Sequence, residues 1–180
     1  MAPRRSGATL AELLITLVVL ALAAAAVLPN LSFNDSNKLA VAAEAVGNAL
    51  RFARSEAMRT ASNVLVDAET VPGRLLLSVR GCSAAGAAAV IDPQTKRAFD
   101  LAVSSDARAE GVVVTPKFIA GGSPWSGLVF DATGAAVQAC SVVAQVARGT
   151  PQAGSGVDLS FGGKTRTIAI DPPTGRVTGF

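Results

Sequence analysis

Glu12 is the only charged residue between Ala8 and Leu28. As a helix those 21 residues rise about 32 Å, enough to cross a hydrocarbon core of about 30 Å. An ionised carboxylate inside such a run costs several kcal/mol without a partner, so its presence points to function. Cleavage after Gly7 would supply that partner. The freed α-amino group of Ala8 is a cation, and Glu12 of one copy can pair with the amine of a neighbouring copy. Gly7 and Ala8 are therefore candidate processing residues, and Glu12 is a candidate assembly residue.

The rest of the chain offers little chemistry. It has no histidine and no tyrosine, which removes the commonest general base, the commonest metal ligand and the Ser-His-Asp and Cys-His arrangements. Asp67 with Glu69 and Asp106 with Glu110 sit in polar, turn-like stretches that suit solvated surface better than an acid/base pair. Asp131-Ala132-Thr133-Gly134 and Asp171-Pro172-Pro173-Thr174-Gly175 read as β-turns in which Asp bonds its own backbone and glycine takes positive φ; neither carries enough oxygen ligands for calcium. Gly154-Ser155-Gly156 lacks the lysine and the following helix of a phosphate loop. No enzyme activity, cofactor, metal or small-molecule substrate is expected. Trp125, the single tryptophan, reads as a loop anchor.

Two cysteines, Cys82 and Cys140, are the whole complement. In an exported domain such a pair most often forms a disulfide, worth about 4 kcal/mol in the chain-entropy model for a loop of this length; two separate buried thiols are the alternative. The formal charge of +3 falls to +1 once Arg4 and Arg5 are removed with the first seven residues, so net charge gives no argument for nucleic acid.

These residues must be carried by a small set of elements. Pro29 closes the apolar run. Asn34-Asp35-Ser36-Asn37 is a cluster of capping residues suited to a short break before a second helical stretch. From about Lys38 to Thr60, Leu39, Ala43, Val46, Leu50, Ala53 and Ala57 recur at helical spacing and form one apolar stripe, with Glu44, Asn48, Arg51, Ser55 and Arg59 opposite. Beyond Asn63 the pattern changes to short strands: Val64–Val66, Leu75–Arg80, Ala88–Ile91, Val112–Thr115, Gly127–Phe130, Ala136–Ala139, Val142–Ala147, Val157–Phe161 and Thr165–Ile170. Gly and Pro clusters punctuate them. Phe161-Gly162-Gly163-Lys164 is the clearest hairpin.

Together the residues Ser6-Gly7-Ala8-Thr9-Leu10-Ala11-Glu12-Leu13-Leu14, with Arg4 and Arg5 upstream, resemble the class III leader of type IV pilins and type II secretion pseudopilins. The stretch from Leu50 to Thr60, with Ala53-Arg54-Ser55-Glu56-Ala57 at its centre, resembles the GspH/FimT group of minor subunits, as do Asn63-Val64-Leu65-Val66, Gly127 to Gly134 and Thr165 to Val177. Ala8 departs from the family's usual bulky Phe or Met. The resemblance implies an α+β fold: a long N-terminal helix, kinked near the helix-kinking Pro29, packed on a head of two antiparallel sheets. It implies residues 1–7 as leader, 8–28 as membrane and assembly helix, 29–61 as its amphipathic continuation and 62–180 as head. It further implies cleavage and N-methylation by a prepilin peptidase, an inner-membrane precursor with its head in the periplasm, and other pilins or pseudopilins as partners at a filament tip.

Some FimT-like subunits contact DNA through a Gly-Arg-x-Arg tail. Here Gly175-Arg176-Val177-Thr178 keeps the first arginine only, and Lys164, Arg166 and Arg176 form a basic patch if the last hairpin and tail lie together. The expected function is a FimT-like minor pilin, with DNA as a candidate partner; the alternatives are a GspH-like pseudopilin and a membrane-anchored extracytoplasmic β-domain that binds a ligand without polymerising. An ordinary signal peptide, with Leu13–Leu22 as its core and Ala24-Ala25-Ala26 as its cleavage pattern, leaves Glu12 unexplained, and so does a plain anchor held by Arg4 and Arg5.

Overall fold

In the computed structural model, which describes residues 10–68, 73–79, 88–120, 123–125, 127–138, 151 and 153–179, one helix, α1, runs from Leu10 to Thr60. The side chains of 24–34, 77–79, 120, 123–125 and 138 lie outside that description. Pro29 and the Asn34–Asn37 cluster fall inside α1, so the expected break between two helical stretches is absent. Asn, Asp and Ser cost at most about 0.7 kcal/mol each in a helix interior, a small sum beside the buried stripe that follows. The chain divides into two compact units, Met1–Ser36 and Asn37–Phe180.

In the second unit the expected stripe is the buried face of the helix: Leu39 is 4 % exposed, and Ala43, Val46, Leu50, Ala53 and Ala57 are fully buried. Ala42 and Ala49 widen it, while Glu44, Asn48, Arg51, Ser55 and Arg59 remain exposed. The helix ends in a Schellman turn. Ser62 N–H donates to Ala57 O at 3.1 Å and Ala61 N–H to Met58 O at 3.4 Å, with Ala61 at φ +48° where glycine is usual.

Two antiparallel sheets complete this unit. The first has the order β3-β2-β1-β7-β8, built from β1 (Val64–Asp67), β2 (Arg74–Val79), β3 (Ala88–Ala89), β7 (Gly127–Phe130) and β8 (Ala136–Gln138). β4 (Asp100–Ala102) also pairs with β2. The second has the order β11-β10-β9-β5-β6, from β5 (Val113–Ala120), β6 (Ser123–Trp125), β9 (Gly156–Phe161), β10 (Lys164–Ile170) and β11 (Val177–Thr178). Leu50 on α1, Leu75, Leu128 and Phe130 from the first sheet, and Phe118, Leu159 and Ile168 from the second share one core.

Four strands depart from expectation. β4, β6 and β11, three residues or fewer each, carry too little alternation to be read. β5 continues through Pro116 to Ala120, although a proline ordinarily ends a strand. The register explains this. Val113, Thr115 and Lys117 pair with Ser160, Asp158 and Gly156 of β9, and the N–H of Ile170 donates across β10 to Ser155 O. Alternation along β9 then turns the backbone of Pro116 away from β9, at a position that β6, pairing only Phe118 to Ala120, does not reach. The missing N–H therefore breaks no ladder bond. The Phe161-Gly162-Gly163-Lys164 hairpin forms as expected, Phe161 opposite Lys164 and both glycines at positive φ (57° and 76°), the signature of a type I′ turn. The expected strand at Val142–Ala147 lies outside the described residues.

Candidate functional site

Leu10, Leu13, Leu14, Ile15, Leu17, Val18, Val19, Leu20 and Leu22 are all more than half exposed. They surround the helix rather than striping it, and a helix apolar all round is one that other molecules must cover. Glu12 sits in the first turn of α1, exposed among them, at the end where the helix dipole favours negative charge. Among the described residues no helix is long and apolar enough to cross a membrane. Gly7 and Ala8 lie outside the described residues, as do Cys82 and Cys140, and the side chains of Pro29 and Trp125 are not among those described.

The three basic candidates do not form one patch. Lys164 and Arg166 lie two positions apart on β10. The tail does pair with that strand, as expected, but in a register that sets Ala169 opposite Thr178 and Ile170 opposite Val177. Arg176 therefore stands opposite Asp171, whose N–H donates to the Arg176 carbonyl at 2.8 Å. Five strand positions, about 17 Å at about 3.3 Å each, separate it from Arg166. Arg166 is itself engaged: its Nε donates to Gly179 O at 3.3 Å.

The structure instead assembles a junction around Arg54. This residue stands at the border of the buried helix face, and its Nε donates to two carbonyls, Gly134 O at 3.1 Å and Thr174 O at 3.2 Å. The first belongs to the turn between β7 and β8, the second to the turn between β10 and β11, so one guanidinium ties the helix to both sheets. The glycines of those turns meet directly. A Cβ on Gly175 would lie 2.0 Å from Gly134 O, and one on Gly134 would lie 2.8 Å from Met58 Sδ. Each turn is locked from within, the first through Asp131 and its own backbone as expected, the second through a side-chain hydroxyl. Asp131 Oδ1 accepts from Thr133 N (2.8 Å), Thr133 Oγ1 (2.6 Å) and Ala135 N (3.0 Å). Asp171 Oδ2 accepts from Thr174 Oγ1, and Thr174 Oγ1 accepts from Arg176 N at 3.2 Å.

The second of these turns has a twin. In Asp92-Pro93-Gln94-Thr95-Lys96-Arg97 the N–H of Asp92 donates to Arg97 O, that of Lys96 to Asp92 O, and Thr95 Oγ1 to Asp92 Oδ2. Those are the bonds made by Asp171, Gly175 and Thr174, with Lys96 at φ +57° in the place of Gly175. The Gln94 N–H first, then the Thr95 hydroxyl, hold the Asp92 carboxyl below the usual carboxylate range. This turn faces α1 across a groove of about 240 Å³ lined by Ala45, Asn48, Ala49 and Phe52 on the helix and by Phe99 beyond the turn, where Phe52 and Phe99 stack at 5.3 Å.

Asp106 is paired with Arg108 at 3.0 Å rather than with Glu110, and among the described residues no group of three or more His, Cys, Asp or Glu side chains could hold a metal. Sequence reasoning missed Arg54 because it was read within a helix ending, and its carbonyl partners, 80 and 120 residues distant, leave no local signal. The two Asp-containing turns were legible; their meeting was not.

A long N-terminal helix, its first part apolar on all sides, followed by a head of two antiparallel sheets packed on its second part, defines a type IV minor pilin-like fold. The chain is similar in fold to the crystal structure of the Pseudomonas aeruginosa (strain PAO1) type IV minor pilin FimU, with a TM-score of 0.51 and 20 % sequence identity over 82 % of this chain and 92 % of that one. No protein-family model and no curated protein sequence matches it.

Proposed function

We propose that the chain is a minor subunit of a type IV pilus, inserted in the inner membrane through 8–28, processed between Gly7 and Ala8, and assembled through Glu12 and the Ala8 amine of a neighbour. The observation that carries this is the exposed, all-round apolar start of α1 with a single carboxylate in its first turn, joined to a minor pilin-like head. Replacing Gly7 with a bulky residue is expected to block processing, and Glu12→Ala to leave processing intact while impairing assembly. An unchanged mature mass in the Gly7 variant would refute the assignment.

The FimT-like role in DNA uptake then rests on Lys164 and Arg166, with Arg176 too far along the strand to join them. Two phosphate contacts give a slope of log affinity against log salt of about −1.8; anisotropy with labelled duplex, on the full-length protein and its Lys164→Ala/Arg166→Ala variant, tests this, and a variant that binds as well as the parent rejects it. A pseudopilus of type II secretion would use the same helix. A clean deletion scored in parallel for transformation and for exoprotein secretion separates the two.

A further inference from the structure

We propose that Val177–Gly179 is a strap that opens independently of the rest of the head, and that Arg166 closes it. The turn before it is immobilised: Arg54 holds Thr174 O, Gly175 packs on Gly134 O, and Asp171 and Arg176 share a backbone bond of 2.8 Å. Beyond that turn the attachment thins. β11 makes a ladder of two pairs, one side chain, Val177, is buried, and Thr178 and Gly179 are exposed. Among the described residues a further tie is the Arg166 Nε bond to Gly179 O. Arg166 itself lies on β10, whose other edge is held by β9 over six residue pairs, Lys164 to Ala169. Arg166 therefore reaches from a firmly paired strand to the end of a weakly paired one.

The register makes the strap separately observable. Ile170 N–H points to β9, donating to Ser155 O at 2.9 Å, while the neighbouring Asp171 N–H points to the strap side. Alternation along β10 places the Ile168 amide with Ile170 and the Ala169 amide opposite them, in a hydrogen-bonded pair with Thr178. Opening of the strap frees Ala169 and Thr178 and leaves Ile168 and Ile170 bonded, since local openings expose amides unit by unit.

Amide hydrogen exchange on the full-length protein in detergent micelles, read residue by residue, tests this. Ala169 and Thr178 are expected to exchange at least tenfold faster than Ile168 and Ile170. Arg166→Ala removes one hydrogen bond at an exposed site and is expected to speed exchange at Ala169 and Thr178 by about two- to twelvefold, with Ile168 and Ile170 unchanged. Gly179→Ala acts from the other side, because its Cβ would lie 2.5 Å from Thr167 O, and is expected to speed the same two amides. Equal protection at all four amides overturns the proposal. So does either variant that leaves Ala169 and Thr178 unchanged, or that speeds all four alike.

Discussion

The twin turns at Asp92–Arg97 and Asp171–Arg176 set up a reciprocal experiment, because identical backbone bonding meets opposite surroundings. At Gly175, φ is +65° and a Cβ would stand 2.0 Å from a backbone oxygen. An alanine there carries about 1–2 kcal/mol of left-handed strain, offset by about 0.5–1 kcal/mol from the lower entropy of its unfolded chain. The overlap adds about 1–3 kcal/mol, since Gly134 O belongs to a turn that Arg54 also holds and cannot swing aside. Gly175→Ala is thus expected to destabilise by about 1.5–4 kcal/mol, a fall in melting temperature of about 5–12 °C for a chain of this size. At Lys96 the side chain is exposed and the strain alone counts. Lys96→Gly removes about 1–2 kcal/mol of it and loses about 0.5–1 kcal/mol to entropy, a net stabilisation of about 0.5–1 kcal/mol. Thermal unfolding of the full-length protein in detergent, followed by circular dichroism, measures both. A Gly175→Ala variant within 1 kcal/mol of the parent, or a Lys96→Gly variant that destabilises by as much, would refute the steric reasoning.

Other consequences are simpler. Ala61→Gly relieves the same strain at the helix terminus and is expected to raise stability by about 0.5–1 kcal/mol in denaturant titrations. Leu50→Ala opens a cavity in the core at a fully buried site and is expected to cost about 3–5 kcal/mol, seen as a lower unfolding midpoint. Acid is expected to destabilise the head. The carboxyl of Asp92, bonded by Gln94 N–H and Thr95, and those of Asp106 and Glu56, bonded by Arg108 and Arg59, are held below their ordinary values. Folded values lower than unfolded ones contribute stability that is complete above the unfolded carboxylate range, near pH 4, and lost as pH falls through the folded values. Melting temperatures recorded from pH 7 to pH 2 should decline, and Asp92→Asn should decline less steeply; a parallel pair of curves would count against the Asp92 contribution.

What could be read from the sequence divides along the range of the interactions involved. The stripe from Leu39 to Ala57 and the Gly162-Gly163 hairpin are specified by neighbours three, four or two residues apart, and both appear where spacing put them. The strand through Pro116 was cut short because a proline's cost depends on whether its edge has a partner, which only the register decides. The basic residues are parted for the same reason: Lys164 and Arg166 sit on β10 and Arg176 in the turn before its neighbour β11, and the pairing of Ile170 with Val177 sets Arg176 beyond the far end of β10. Arg54 is the strongest instance. As a helix residue beside Ala53 it had no apolar spacing to mark it, and its two acceptors are carbonyls, which any residue supplies. Side-chain identity predicted the bonds from Asp131 to its own backbone, and glycine at 134 and 175 predicted their positive φ; the Asp171 carboxylate instead accepts from the Thr174 hydroxyl. That these glycines also face each other, with Arg54 beneath them, depends on two sheets converging on one helix. Legibility therefore ended where a residue's role is set by a backbone atom distant in sequence. Charge alone is a poor guide to function in this head: Arg54, whose side chain could have been assigned to an external ligand, holds two turns of the fold, and Arg166, the candidate DNA contact, also holds Gly179 O.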